Sequence, residues 1–327
     1  MTLQSRPCLA EAVRTRFVDT NGVTLRVLEA GEPGNPVVVL LHGFPELAHT
    51  WRHQLPVLAE AGYHVLAPDQ RGYGGSSRPD AVDAYTVAEL SRDVVELLDD
   101  ADAERAVLVG HDFGGVVAWG APLLHPENRV AGIVGISFPP VPRPRIPTTQ
   151  AFRRIFGDAF FYILYFQERG PADTELDRDP AVTLRKLMAG ELGAPSPVPD
   201  PQGFLDRIPD PGHRPPWLTD AEFDCYVEQF TKNGFTAPLN WYRCFDLNWE
   251  LTADPPAKTV TAPALFIGGA ADPTLAYTPR DRVADVVSGP YREVMLDGGH
   301  WLPEQCPDEV NGALLEFLGG LEFGHRG

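Results

Sequence analysis

The strongest constraint on the fold of this chain is a series of short, wholly apolar segments that alternate with segments of helical pattern. A short apolar run bounded by glycine or proline indicates a strand that is buried on both faces. Such strands, when they alternate with helices, form a parallel sheet that helices cover on both sides. We therefore predict an α/β fold with a mostly parallel central sheet. The predicted strands are 36–43, 64–69, 106–109, 130–137, 262–269 and 291–297, and the predicted helices are 50–61, 88–98 and 116–126.

Two segments depart from this alternation. Phe17–Leu28 alternates apolar and polar residues around Asn21-Gly22, a dipeptide favoured in two-residue turns, and predicts a hairpin. Pro139–Pro147 contains too much proline for the interior of a strand or helix, and the chain that follows is helical and aromatic up to about Tyr242. A structureless loop of about a hundred residues is implausible, so we predict a helical insertion. The predicted domains are a core of residues 1–138 and 246–327 and a lid of residues 139–245.

One predicted junction between a strand and a helix carries a charged residue in a tight turn. In Val107–Gly115, VLVGHDFGG, Asp112 replaces the serine of the G-x-S-x-G pattern that lifts a nucleophile above the end of a sheet. Because the ordinary aspartate pKa is about 3.9, this carboxylate is ionised at neutral pH and can attack carbon without a base, forming an alkyl ester. Aspartate is also a common helix cap. On this stretch alone, both interpretations of Asp112 stay open.

Two further predicted strands are followed by ionisable side chains. Ligands of open α/β sheets bind beyond the carboxyl ends of the strands; Asp272 follows one such end and His300 follows another. With Asp112 these residues occur in the chain order nucleophile, acid, histidine of α/β-hydrolases. We predict that His300 activates water for attack on the ester and that Asp272 fixes the tautomer of the His300 imidazole. Asp297 is a rival of Asp272, which we prefer because it ends a different strand and can reach the far side of the imidazole.

Backbone N–H groups near the predicted nucleophile suit an oxyanion hole. Phe44, in the turn Leu41–Pro45, is predicted to supply one N–H, and Phe113 the other, to the tetrahedral state formed by water attack. Simple loop geometry is the alternative explanation of that turn. The glycine-rich segment 69–77, DQRGYGGSS, lacks the spacing of a phosphate loop and a partner lysine, so we interpret it as structural rather than nucleotide-binding.

Composition narrows the function classes. Lys and Arg number 27 against 45 Asp and Glu, and the net charge of −18 argues against nucleic-acid binding. No segment approaches the roughly 20 apolar residues of a membrane span, and the amino terminus lacks the apolar core of a signal peptide, so we expect a cytoplasmic protein without a membrane partner. The four cysteines lack metal-ligand spacing, and we expect them to be reduced and to bind no metal.

The motifs together resemble the soluble epoxide hydrolases of the α/β-hydrolase superfamily, and the likeness covers nearly the whole chain. Two lid segments, 162–176 and 239–243, resemble those that carry a pair of tyrosines donating to the epoxide oxygen. The resemblance assigns this function to Tyr162 and Tyr242, with Tyr165 as a competitor one turn away. The four core segments that carry the resemblance are HGFPE at 42–46, DQRGYG at 69–74, GHDFGG at 110–115 and GGHW at 298–301.

The resemblance implies an α/β-hydrolase fold and a hydrolase that needs no cofactor. Asp112 would open an epoxide, the tyrosines would protonate the ring oxygen, and water activated by His300 would release a vicinal diol. A tyrosine, with an ordinary pKa of about 10, is neutral and able to donate at pH 7. Many relatives place tryptophan after the nucleophile; Phe113 lacks the indole N–H that holds a leaving halide, which weakens the alternative of a haloalkane dehalogenase. A non-catalytic binding protein on the same scaffold is the other alternative.

Aromatic residues near the predicted site indicate an apolar substrate. Phe138, Phe161, Trp241 and Trp301 are predicted to line the pocket, since such sites bury most of the ligand surface. The same residues are equally suited to a hydrophobic core. The predicted partner is a small apolar epoxide, and a homodimer is left open.

Overall fold

The computed structural model describes residues 12–190, 203–278 and 280–321. Its centre is a single sheet of eight strands, and each strand predicted from the sequence lies within it. The strands are β1 (Arg14–Thr20), β2 (Val23–Ala30), β3 (Val37–Leu41), β4 (His64–Pro68), β5 (Ala106–His111), β6 (Val130–Ile136), β7 (Ala264–Gly269) and β8 (Tyr291–Leu296).

The strand order is β1-β2-β4-β3-β5-β6-β7-β8. The pairs β1 with β2 and β2 with β4 are antiparallel, and every other neighbouring pair is parallel. The mostly parallel sheet is therefore confirmed. The hairpin is confirmed as well, because Thr20 pairs with Val23 across a turn in which Asn21 and Gly22 have φ values of 36° and 74°.

Twelve α-helices accompany the sheet in the described part of the chain, with short 3-10 helices at Ala48–His53, Val82–Tyr85, Leu205–Arg207, Pro273–Ala276 and Val283–Asp285. The α-helices are α1 (Gln54–Glu60), α2 (Val87–Asp100), α3 (Phe113–Leu124), α4 (Thr148–Phe156), α5 (Tyr162–Tyr165), α6 (Pro171–Asp177), α7 (Pro180–Ala189), α8 (Asp220–Asn233), α9 (Thr236–Arg243), α10 (Phe245–Leu251), α11 (Leu302–Gln305) and α12 (Pro307–Gly319).

The predicted continuous helix over 50–61 is wrong in its first part. The chain forms a 3-10 helix over Ala48–His53 and only then the α-helix α1. Pro56 accounts for the difference, because proline has no N–H and is tolerated only in the first turn of an α-helix. With α1 beginning at Gln54, Pro56 falls in that first turn.

The inner strands are buried along their whole length, as expected for a sheet that is covered on both faces. On one side Val38 and Val107 pack with the apolar residues of α1 and α12. On the other side Leu41 and Leu108 pack with those of α2 and α3. The carboxyl ends of the parallel strands thus meet at one edge of a rigid core, where the loops after β3, β5, β7 and β8 come together.

Between β6 and β7 the described residues form helices and turns without adding a strand to the sheet. The last of these helices, α10, ends at Leu251, beyond the position 245 at which we place the lid boundary. It contacts both α4 and, in the core, α2. In the part of the chain that the structure describes, no helix is both long and apolar enough to cross a membrane. Cys8 lies outside the described residues.

Candidate active site

Asp112 lies in a strained turn between β5 and α3. Its backbone has φ 50° and ψ −119°, a conformation that L residues rarely adopt. A Cβ atom on Gly110 would collide with the backbone of Gly114, and one on Gly114 would collide with the carbonyl oxygen of Leu41. Both glycines are therefore needed for the turn. Although Asp112 precedes α3, its side chain makes no capping hydrogen bond to the helix and is available for another function.

The Asp112 carboxylate has two different surroundings for its two oxygen atoms. Oδ1 accepts a hydrogen bond of 3.0 Å from the backbone N–H of Phe44. Oδ2 lies 3.5 Å from Nε2 of His300. Gly43 allows this arrangement, because a Cβ atom there would overlap the Asp112 carboxylate. One oxygen is thus held by the loop after β3, and the other faces the imidazole.

The imidazole of His300 connects the two predicted aspartates. Its Nδ1 lies 3.0 Å from Oδ2 of Asp272, on the side of the ring opposite Asp112. Asp272 is buried, and its Oδ1 accepts from the N–H and the hydroxyl of Thr274 at 2.9 and 2.7 Å. Asp297, the rival residue, is exposed. The structure therefore brings Asp112, His300 and Asp272 together, with the imidazole between the two carboxylates.

The charges of these groups support one another. Burial works to raise the pKa of Asp112, but the neighbouring histidines, chiefly His300, outweigh it and lower that pKa. Burial works to lower the pKa of His300, yet Asp272 and Asp112 together raise it to about 10. In the resting site at neutral pH, His300 is consequently an imidazolium and Asp112 a carboxylate. The Asp112 carboxylate is thus one of the two negative charges that hold the proton on His300.

We expect the Asp112→Asn variant to lower the pKa of His300 from about 10 toward its ordinary 6.5. The substitution removes a negative charge beside Nε2 and leaves that of Asp272. The pKa is measured by following the His300 ring resonances in NMR titrations. Asp297→Asn, which removes an exposed charge, serves as the control and is expected to leave that pKa unchanged. An unaltered His300 in Asp112→Asn contradicts the coupling.

A buried pair that we did not assign from the sequence fixes the backbone of the site. Nδ1 of His111 lies 2.7 Å from Glu46, which also accepts the N–H of Gly43 at 2.7 Å. Nε2 of His111 lies 2.8 Å from the carbonyl oxygen of His300, and the hydroxyl of Ser137 donates to the same oxygen at 2.7 Å. Both ring nitrogens face acceptors, so His111 is an imidazolium. The pair joins the loops after β3 and β8 to the elbow.

The signal for this pair was present in the motifs HGFPE and GHDFGG. Sequence alone does not show that the glutamate and the histidine meet, because 65 positions separate them in the chain. Burial opposes the charge on both, yet the pKa of His111 is raised by Glu46 and the pKa of Glu46 is lowered by His111. The ion pair therefore persists in the interior.

Removal of one partner of this pair is expected to destabilise the fold strongly. Glu46→Ala leaves a buried imidazolium without its counterion, a change that costs about 3–5 kcal/mol in the free energy of unfolding. Urea denaturation measures the difference. Glu60→Ala, at an exposed position of α1, is the control and is expected to change the same quantity by less than about 0.5 kcal/mol. Equal effects of the two substitutions contradict the structural importance of the pair.

The two predicted tyrosines lie together on neighbouring helices. Tyr162 begins α5 and Tyr242 lies near the end of α9, with 6.1 Å between their ring centroids. The ring of Tyr242 packs edge-on against Phe113 and Phe44, at 4.8 and 5.4 Å, which places it above the elbow. Burial raises the pKa of both hydroxyls, so both are neutral donors. Tyr165, the competitor, packs against Phe160 instead.

The two predicted pocket tryptophans occupy different places. Trp241 is buried, and its indole N–H donates to the carbonyl oxygen of Arg71 at 3.0 Å, so it anchors the loop after β4 to α9. Its ring still touches Phe113 edge-on at 5.4 Å. Trp301 packs edge-on against the imidazole of His300 at 4.9 Å. Trp241 therefore anchors the lid helix α9 to the core beside the site, and Trp301 packs against the imidazole of His300.

The two predicted pocket phenylalanines also differ. Phe161 is buried, stacks on Phe156 with 4.0 Å between centroids and contacts the ring of Tyr162 edge-on at 5.2 Å. Phe138 is half-buried and packs so closely on α3 that a Cβ atom on Gly115 would overlap it. Phe161 thus belongs to the aromatic wall beside Tyr162, whereas Phe138 packs against the elbow helix.

Comparisons with known proteins agree on the family of the chain. A family model described as the alpha/beta hydrolase fold matches residues 36–305. Epoxide hydrolase A of Mycobacterium tuberculosis is 60% identical over 94% of this chain and 98% of its own length. Epoxide hydrolase 3 of Siraitia grosvenorii is 36% identical over 92% of this chain and 96% of its own. The crystal structure of epoxide hydrolase A from Mycobacterium thermoresistibile covers 95% of this chain and the whole of that chain at 54% identity, with a TM-score of 0.92.

Proposed function

The chain belongs to the epoxide hydrolase family of the α/β-hydrolase superfamily, and we propose that it hydrolyses an apolar epoxide through an alkyl ester on Asp112. One observation carries the mechanism: the Asp112 carboxylate lies between the N–H of Phe44 and the imidazole of His300. A carboxylate needs no base to attack carbon. The relatives described above are named epoxide hydrolases, which favours this function over the dehalogenase and the binding-protein alternatives.

The first step is ring opening. Oδ2 of Asp112 attacks a ring carbon, and the bond from that carbon to the ring oxygen breaks. Tyr162 and Tyr242 donate to the oxygen, because an alkoxide is far more basic than either phenolate and takes a proton from a correctly placed hydroxyl. Burial raises the pKa of both hydroxyls well above the ordinary value, so both are protonated at neutral pH. The products of this step are a neutral ester, a β-hydroxyl group and one tyrosine phenolate, which carries the negative charge that Asp112 lost.

The second step is hydrolysis of the ester. Oδ1 of Asp112 becomes the ester carbonyl oxygen and keeps the hydrogen bond from Phe44. We assign the N–H of Phe113, the residue after the nucleophile, as the second donor to the oxyanion. Ester formation has removed the Asp112 charge, so His300 releases its proton, which replaces the one that the tyrosines gave. The neutral imidazole, held by Asp272, then activates water.

The helices between residues 139 and 245 form a lid over this chemistry in the proposed scheme. They carry both tyrosines, and two of their aromatic residues, Phe161 and Phe166, contact the ring of Tyr162 edge-on. A wall of aromatic rings excludes water and favours an apolar substrate. The lid therefore supplies the proton donors and the binding surface, while the core supplies the nucleophile, the base and the oxyanion donors.

We expect Tyr162→Phe and Tyr242→Phe each to slow ring opening by about 10- to 100-fold, since a general acid contributes about 10²- to 10⁴-fold and the two hydroxyls share the task. The measurement is the rate of ester formation in a single turnover. Tyr165→Phe, one turn from Tyr162, is the matched control and is expected to keep the wild-type rate. Wild-type rates in both lid variants exclude the tyrosines as proton donors.

A further inference from the structure

A third tyrosine hydroxyl lies beside the proposed proton donors. Oη of Tyr277 is 3.4 Å from Oη of Tyr162. Tyr277 comes from the core rather than from the lid, at the end of the 3-10 helix Pro273–Ala276 that follows Asp272. Neither the motifs nor the proposed mechanism assigns this residue a function.

The position of Tyr277 is fixed by the same turn that holds the acid of the site. Its N–H donates to the carbonyl oxygen of Thr274 at 3.2 Å, and Thr274 donates both its N–H and its hydroxyl to Asp272. The ring of Tyr277 packs edge-on against Phe161 at 5.6 Å and against Phe156 at 6.4 Å. One rigid turn therefore supports the catalytic histidine on one side and reaches the lid tyrosine on the other.

We propose that Tyr277 is a positioning residue that relays a proton to Tyr162 during ring opening. The inference rests on the proposed function of Tyr162 as a proton donor. As the bond from Asp112 to the ring carbon forms and the bond from that carbon to the ring oxygen breaks, the Tyr162 proton moves to the ring oxygen. The Tyr277 proton moves to Tyr162 in turn, and the negative charge ends on Tyr277 as a phenolate.

The hydrogen-bonding capacity of a hydroxyl supports this direction of transfer. Each phenol has one proton to donate, so Tyr162 can point its proton at the epoxide only when Tyr277 is the donor between the two. The site also favours the charge on Tyr277. Burial raises the pKa of both hydroxyls, that of Tyr277 to about 12, while the hydrogen bond between them works to lower the pKa of Tyr277 and to raise that of Tyr162. A phenolate is therefore easier to form on Tyr277 than on Tyr162.

Tyr277→Phe tests the relay without disturbing the packing, because phenylalanine keeps the ring contacts with Phe161 and Phe156. We expect single-turnover ester formation to slow by about 5- to 10-fold, the effect of losing one hydrogen bond, with the substrate dissociation constant unchanged. When the rate is measured in mixtures of H₂O and D₂O, its dependence on the deuterium fraction is expected to indicate two protons in transfer for the wild type and one for the variant. Tyr291→Phe, whose hydroxyl bonds to Glu293 on β8, is the control and is expected to match wild type in both measurements.

A double variant separates the relay from the proposed function. If Tyr277 acts through Tyr162, adding Tyr277→Phe to Tyr162→Phe slows ester formation no further. Three outcomes overturn the relay and leave the function of Tyr162 intact. They are a wild-type rate in Tyr277→Phe, an additional loss of rate in the double variant, and two protons in transfer in Tyr277→Phe. A wild-type rate in Tyr162→Phe alone overturns the proton donor itself, and the relay with it.

Discussion

The Asp112→Ala variant is expected to lose epoxide turnover by about 10⁴-fold or more, the loss typical of removing a nucleophile. Without the carboxylate no ester forms. The tyrosines cannot replace it as nucleophiles because they are neutral at pH 7, and His300 lies behind the position of the carboxylate. The measurement is diol formation under multiple turnover, with chromatographic separation of epoxide and diol. Because Ala also gives up the contact with the N–H of Phe44, the thermal unfolding midpoint is recorded beside it.

Two control variants make this result specific. Asp297→Ala removes an exposed carboxylate that follows β8 and is expected to keep turnover. Asp112→Asn keeps the shape of the side chain, and asparagine tolerates the positive φ of 50° better than alanine does, so it is expected to be inactive but folded. Sustained diol formation by a folded Asp112→Ala protein contradicts the ester mechanism as a whole.

The His300→Gln variant is expected to stop after the first step and to accumulate the ester. Glutamine cannot act as the base for water, whereas the attack by Asp112 needs no base. Intact-protein mass spectrometry after exposure to an epoxide is expected to show a gain equal to the mass of the whole epoxide on nearly every molecule. Wild-type protein treated in the same way is expected to return to its original mass, because its ester is hydrolysed.

The position of the adduct and the class of the substrate are checked in the same experiment. The double variant Asp112→Asn with His300→Gln is expected to show no mass gain. A haloalkane offered to His300→Gln is expected to leave the mass unchanged as well, since Phe113 has no indole N–H for a leaving halide. His213→Gln, at an exposed position, is the control for the substitution. Steady diol formation by His300→Gln without any adduct contradicts the function of His300 as the base.

Several features of the fold and the site could be predicted from local sequence because local physical chemistry dictates them. Wholly apolar runs predict buried strands wherever they occur, and alternation around Asn21-Gly22 predicts the hairpin. Gly110 and Gly114 mark the elbow, because any side chain there would collide with the backbone. The wrong prediction of a continuous helix over 50–61 is also local in origin. Pro56 limits where an α-helix can begin, and the prediction followed the apolar pattern without taking Pro56 into account.

Contacts between distant side chains are visible only in the tertiary structure, even where the sequence favours one residue over another, as it favours Asp272 over Asp297. Asp272 and Asp297 are both aspartates beside glycine-rich turns, and only the arrangement of β7 and β8 brings Asp272 to Nδ1 of His300 while Asp297 stays exposed. The same holds for the partnership of Glu46 with His111. Such contacts join residues far apart in the chain, and their existence depends on the order of strands in the sheet rather than on the residues nearby.

The sequence by itself determined the α/β architecture and the elbow that presents Asp112, because these follow from periodicity and steric limits, whereas the epoxide substrate and the pair of tyrosines came from the resemblance to a family. Only the tertiary structure decided that Glu46 pairs with His111, that Trp241 anchors α9 to the loop after β4, and that Tyr277 reaches Tyr162. The physical reason is that a hydrogen bond or a charge interaction depends on distances of a few ångströms, and folding alone sets those distances between segments that lie far apart along the chain.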